Sequence, residues 1–166
     1  MPGTVVIGLG SPLMGDDGLG LAALAALEEG WAFDPPPIFL DGGTWGMNLL
    51  PDIEDAGRLL LLDAVAMGRS PGTVIALGRD DLPRFFSIKL SPHQVDLREV
   101  LALAELRGTL PEDTVVLGLQ PDRVELTTEL SDIVRNAIPH LVDAAVGQLT
   151  AWGHVRAPGT AVACTS

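Results

Sequence analysis

The chain has 166 residues, 47% hydrophobic and 19% charged, with a formal net charge of −12. That is enough for one domain with a sizeable core, and so acidic a chain argues against nucleic acid or an anionic membrane as partner, since both demand a basic face. The opening Met1-Pro2-Gly3-Thr4 lacks the basic start of a signal peptide, no apolar run is long enough to span a bilayer, and the single Cys164 can form no internal disulfide, so the expected compartment is the cytoplasm.

Thr4-Val5-Val6-Ile7 is apolar and β-branched and predicts a buried strand. The run Gly8-Leu9-Gly10-Ser11-Pro12-Leu13-Met14-Gly15-Asp16-Asp17-Gly18 then turns the chain, and Leu19 to Leu27, rich in Leu and Ala, predicts a helix ending near Gly30. A dinucleotide loop fits poorly. Its third glycine comes late, and Asp16 and Asp17 stand where a phosphate should arrive. One aspartate here can be a helix cap; two at a helix start suit a cation better than an anion.

Pro35-Pro36-Pro37 is a stiff link into a short strand, Ile38-Phe39-Leu40, closed by Asp41-Gly42-Gly43-Thr44. A short helix is expected from about Met47 to Asp55, with a break at Gly57. Arg58 to Asp63 reads as a central strand, apolar on both faces as parallel strands between helices are. Ser70-Pro71-Gly72 turns into a fourth strand, Thr73 to Leu77, and Arg79 to Pro92 is expected to be irregular. Gln94 to Leu106 is a helix, and Val115 to Leu119 a fifth strand ended by Gln120-Pro121. The last helix runs from Glu129 or Leu130 to about Trp152, burying Ile133, Ile138, Leu141, Val142, Ala145 and Leu149, with Pro139 kinking or restarting it. Residues 153–166 read as a loose tail on a single domain of residues 1–152.

Alternating strands and helices predict a three-layer α/β/α sandwich with a mostly parallel, about five-stranded twisted sheet. Right-handed crossovers bring the loops after successive strands to one carboxyl edge, where ligands bind in such sheets. Asp17, Asp41, Asp63 and His93 are thereby delivered to one rim. Oxygen and nitrogen donors without thiolate suit Ni²⁺, Zn²⁺, Fe²⁺ or Mn²⁺, and donor type does not choose among them. Each residue also has a plainer role open to it: an aspartate closing a strand is often an N-cap, and a lone histidine after proline is often a surface group. There is no G-x-S-x-G elbow and no H-E-x-x-H helix, and Cys164 has no histidine placed to activate it. His140 and His154 are taken as structural or surface residues, and Gln120 either positions substrate or terminates its strand.

Four blocks carry a resemblance: Gly8 to Ser11 with Asp16-Asp17-Gly18, then Asp41-Gly42-Gly43-Thr44, then Leu62-Asp63-Ala64, then Ser91-Pro92-His93-Gln94. In order and spacing, from Val5 to about Leu149, the chain resembles the hydrogenase maturation proteases, the endopeptidases that remove a C-terminal extension from the large subunit of nickel–iron hydrogenases. The resemblance implies that Asp17, Asp63 and His93 contact metal and carry catalysis, and that Asp41, Gly42 and Gly43 position the substrate. The metal is then the nickel already inserted in the precursor, with no permanent cofactor, and the partner is that precursor; nucleic acid and membrane are excluded and a monomer is expected. Some members have Glu where Asp17 stands, and many have Asn where Ser11 stands. Nickel held this way would orient the scissile peptide and polarise its carbonyl or a water, with Asp16 or Asp41 as a candidate base; no nucleophile is assigned. Alternatives are a nickel-sensing chaperone that does not cut, a metallohydrolase with its own metal, and, least favoured, a nucleotide-binding domain.

Overall fold

The computed structural model describes residues 3–88 and 97–157. In chain order its elements are β1 (Thr4–Gly8), α1 (Leu19–Gly30), β2 (Phe33–Asp34), β3 (Ile38–Asp41), α2 (Gly42–Trp45), α3 (Leu50–Asp55), β4 (Arg58–Ala64), β5 (Val74–Leu77), α4 (Leu82–Ser87), α5 (Leu97–Leu106), β6 (Asp113–Leu119), α6 (Asp132–Ala151) and β7 (Val155–Arg156). Tighter 3-10 turns occupy Gly15–Gly18, Gly46–Leu49 and Arg79–Asp81.

Period-two alternation along the strands creates two cores. Val5, Ile7, Leu59 and Leu61 face one side, against Ile53, Phe85, Leu97, Val100 and Leu101 of α3, α4 and α5. Val6, Leu60 and Leu62 face the other, against Leu19, Ala23, Leu27, Ile138, Leu141 and Ala145 of α1 and α6. The result is the expected three-layer sandwich around a five-stranded sheet of order β3-β1-β4-β6-β5. β1 pairs in parallel with β3 and β4, so Gly8 stands level with Asp41 on one side and Leu62 on the other; β4 pairs in parallel with β6. The carboxyl ends of β3, β1 and β4 are thus neighbours.

β5 alone runs antiparallel, at the edge beside β6. Residues 65–73 carry no helix between β4 and β5, and without a crossover helix the chain reverses. Of the segment expected to be irregular, Arg79 to Ile88 is instead structured, and the remainder lies outside the described residues: the Gly78 N–H donates to Asp81 Oδ2, and Pro83 sits in the first turn of α4, where a missing N–H is harmless. Phe85 is thereby fully buried. α6 passes unbroken through Pro139, because its stripe from Val134 to Leu149 is anchored on both sides of that residue; Ile133, expected inside, is 47% exposed and Val134 takes its place. The first residues of the supposed loose tail are held too. Val155–Arg156 pair antiparallel with Phe33–Asp34, and buried His154 donates from Nδ1 to the Pro35 carbonyl while Nε2 pairs with Thr4 Oγ1. No helix among the described residues is long and apolar enough to cross a membrane.

Candidate active site

Asp17 is set by the glycines before it. Gly10 has φ +107°, and a Cβ on it would stand 1.9 Å from the Asp17 carbonyl oxygen, so only glycine lets the loop fold this closely over the 3-10 turn that carries Asp17. The loop is stitched to β4 by Leu9 N–H donating to the Leu62 carbonyl at 2.8 Å, and the Ser11 N–H donates to Asp17 Oδ2 at 2.9 Å. Asp17 is 0% exposed.

Asp63 has the parity of Leu59 and Leu61 and therefore points to the α3–α4–α5 side at the end of β4. It is 1% exposed. There it meets Arg98 of α5, whose Nη2 lies 2.6 Å and Nε 3.2 Å from Asp63 Oδ2. Asp63 Oδ1 accepts the N–H of Ala64 at 2.8 Å. Burial pushes the Asp63 carboxyl up to about 6, against the pull of Arg98, and the nearby charge of Asp17 adds to the push. Two carboxylates from neighbouring strands thus feel each other at one rim.

Asp16, next to Asp17 and also 0% exposed, is turned elsewhere. Its Oδ2 accepts the N–H groups of Asp122 and Arg123 and the hydroxyl of Ser131, and its Oδ1 accepts the Ser131 N–H, all at 2.7 to 2.8 Å. Burial works to raise this carboxyl, but the Arg123, Ser131 and Asp122 donors outweigh it and hold Asp16 below its ordinary 3.8. Asp16 does cap a helix, but across space at the start of α6 rather than on α1. A carboxylate so saturated is no candidate for a base.

At the end of β3, Asp41 is exposed and Oδ1 accepts the Gly43 N–H at 2.8 Å, closing the turn into α2. Gly43 is exposed. Gly42 is buried where a Cβ would meet the Gly8 carbonyl oxygen at 2.7 Å, so its missing side chain serves close packing over β1. Gln120 braces the rim internally: its Oε1 accepts the N–H groups of Met67 and Arg69, beyond β4. His93 lies outside the described residues, between α4 and α5. Among the described residues no three His, Cys, Asp or Glu side chains form a metal-holding group.

The model of the hydrogenase maturation proteases matches residues 23–148. The hydrogenase expression/formation protein HoxM of Cupriavidus necator is 34% identical over 159 residues, covering 95% of this chain and 79% of that one. The hydrogenase 2 maturation protease of Escherichia coli is 30% identical over 159 residues, covering 95% of this chain and 97% of its own. The solved structure of the hydrogenase maturating endopeptidase HybD from E. coli superposes with a TM-score of 0.84 at 30% identity, over 93% of this chain and 96% of that chain. This chain belongs to the hydrogenase maturation protease family.

As a hydrogenase maturation protease the chain is an endopeptidase of hydrogenase maturation, and the expected α/β architecture is that of its solved relatives. What the sequence reading missed is Arg98. Among the chain's ten Lys and Arg residues, this one stands inside the buried stripe of its helix, between Leu97 and Val100 and three positions before Leu101. A cation inside a buried stripe requires a partner, and that is the signal from which an acid at the rim could have been inferred.

Proposed function

We propose that this protease removes the C-terminal extension from the large-subunit precursor of a nickel–iron hydrogenase, gripping the nickel the precursor carries with Asp17, Asp63 and His93. The observation that carries this reading is the pair Asp17 and Asp63: two carboxylates that follow adjacent parallel strands, both buried, within each other's field, with the Arg98 guanidinium set against Asp63. Like charges gathered at that cost suit a cation-binding edge. Two acids alone make a sparse ligand set, and an imidazole from the chain between α4 and α5 together with groups of the substrate would complete it. Nickel, here part of the substrate, orients the scissile peptide and draws electron density from its carbonyl; water adds, the C–N bond breaks, and the departing amine takes a proton. Asp41, Gly42 and Gly43 border this edge and position the extension, and with Asp16 fully engaged Asp41 is the remaining candidate base. The enzyme works in this reading as a cytoplasmic monomer without a resident metal.

The test is to incubate the protein with precursor loaded with nickel and with precursor free of it. Mass spectrometry should find a released C-terminal peptide only in the first. Cleavage of both alike would remove nickel from the recognition step, and cleavage of neither would sink the reading as a whole.

A further inference from the structure

Arg98 is the one arginine or lysine buried among the described residues, 7% exposed. Nε and Nη2 both aim at one oxygen, Asp63 Oδ2, at 3.2 and 2.6 Å. Nη2 also reaches the Ala64 carbonyl at 3.2 Å, Nη1 donates to the Ile88 carbonyl, and the guanidinium carbon lies 4.6 Å from the Phe85 ring centre. Only the planar fork of arginine makes this pattern; a lysine offers a point charge. An ionised carboxylate accepts at about four lone-pair positions. Oδ2 is occupied by the two guanidinium donors, whereas Oδ1 accepts the Ala64 N–H, one bond against the two lone pairs a carboxylate oxygen offers.

We propose that Arg98 is a positioning residue for the cleavage reaction: it clamps Asp63 by Oδ2, ties that carboxylate to the chain at Ala64 and Ile88, and so presents Oδ1 to the cation the substrate brings. This rests on the proposed function, because it is the substrate's nickel that Oδ1 meets. Arg98 does not touch the substrate; it acts through Asp63. Its charge also offsets one of the two negative charges that Asp17 and Asp63 bring to the rim. A divalent ion delivered by a bound protein is still attracted, and Asp63 is already aimed when it arrives.

The experiment compares wild type, Arg98→Lys, Arg98→Gln, Asp63→Asn and the double variant Asp63→Asn/Arg98→Gln, with nickel-loaded precursor as substrate and thermal melts alongside. Arg98→Gln should lower kcat at least tenfold while KM stays within about twofold. Arg98→Lys should fall between it and wild type. The double variant should cut no worse than Asp63→Asn and should melt above Arg98→Gln, since it no longer buries an unpaired carboxylate. A wild-type kcat in Arg98→Gln, or losses that multiply in the double variant, would overturn the role. Should Arg98→Gln fail to fold, Arg98→Lys decides, a wild-type kcat there overturning it equally. Failure of the wild-type chain itself to cut the precursor brings down the proposed function, and is told apart because every protein in the set is then inert.

Discussion

Asp16, in the 3-10 turn that follows β1, and Asp63, at the end of the adjacent β4, are both shut off from water, yet their surroundings drive them in opposite directions. Four donors converge on Asp16, three of them main-chain N–H groups, and they more than repay its desolvation. Asp63 has one main-chain N–H and one guanidinium, with a second acid nearby, and its carboxyl is pushed up to about 6. The first arrangement fastens loops together. The second keeps a charge under tension at an edge where a cation can relieve it.

The contrast breaks first at Asp63. Asp63→Asn should cut processing of nickel-loaded precursor by at least about a hundredfold, and His93→Ala should do the same, as read by peptide release per folded molecule. Removing one partner of a buried ion pair also leaves Arg98 poorly matched, so some loss of stability accompanies the first change.

Asp16→Ala should reverse the balance, with a large loss of stability and, in the molecules that remain folded, a smaller loss of activity than Asp63→Asn gives. Stranding the Asp122, Arg123 and Ser131 donors should cost about 3 kcal/mol or more, a fall of roughly 6–12 °C in the unfolding midpoint. A melt within a degree or two of wild type would show that those donors find other partners.

A smaller effect lies in the pH dependence of folding. An acid with its native pKa raised stabilises the fold while protonated, and that contribution is lost as pH climbs from about 4 through about 6. Wild type should therefore lose ground to Asp63→Asn across that window in melts taken between pH 4 and pH 7. Asp16 has the opposite sign: held below 3.8, its contribution is present above about pH 4 and disappears on further acidification. Parallel curves for wild type and Asp63→Asn would contradict the environment described for Asp63. The smallest expected change is Asp17→Glu, which keeps the charge and adds one methylene; partial processing should survive, at a lower kcat.

Much of this scaffold could be read from the chain because the signals are local. The β-branched run of β1, the doubly apolar β4, the Leu- and Ala-rich α1 and the strand-ending aspartates each declare themselves within a few residues. The order of strands and helices then places Asp17, Asp41 and Asp63 on one edge. What stayed hidden depends on distance along the chain. Three of the four donors to Asp16 are main-chain N–H groups 106 to 115 residues away, which leave no mark in side-chain identity. Arg98 meets Asp63 across 35 residues. The two-residue strands β2 and β7 are too short to carry any period. Pro139 does not restart the helix, because α6 is packed on both sides of it.

The reach of Asp16 has a consequence for the birth of the enzyme. Its carboxylate waits for Asp122, Arg123 and Ser131, as the Met14 stretch waits for its bridge to Thr127. A ribosome must therefore deliver most of the chain before the loop bearing Asp17 is tied down. The cutting edge is completed late in synthesis, and an abortive product that stops short of α6 would carry Asp17 without the brace that sets it.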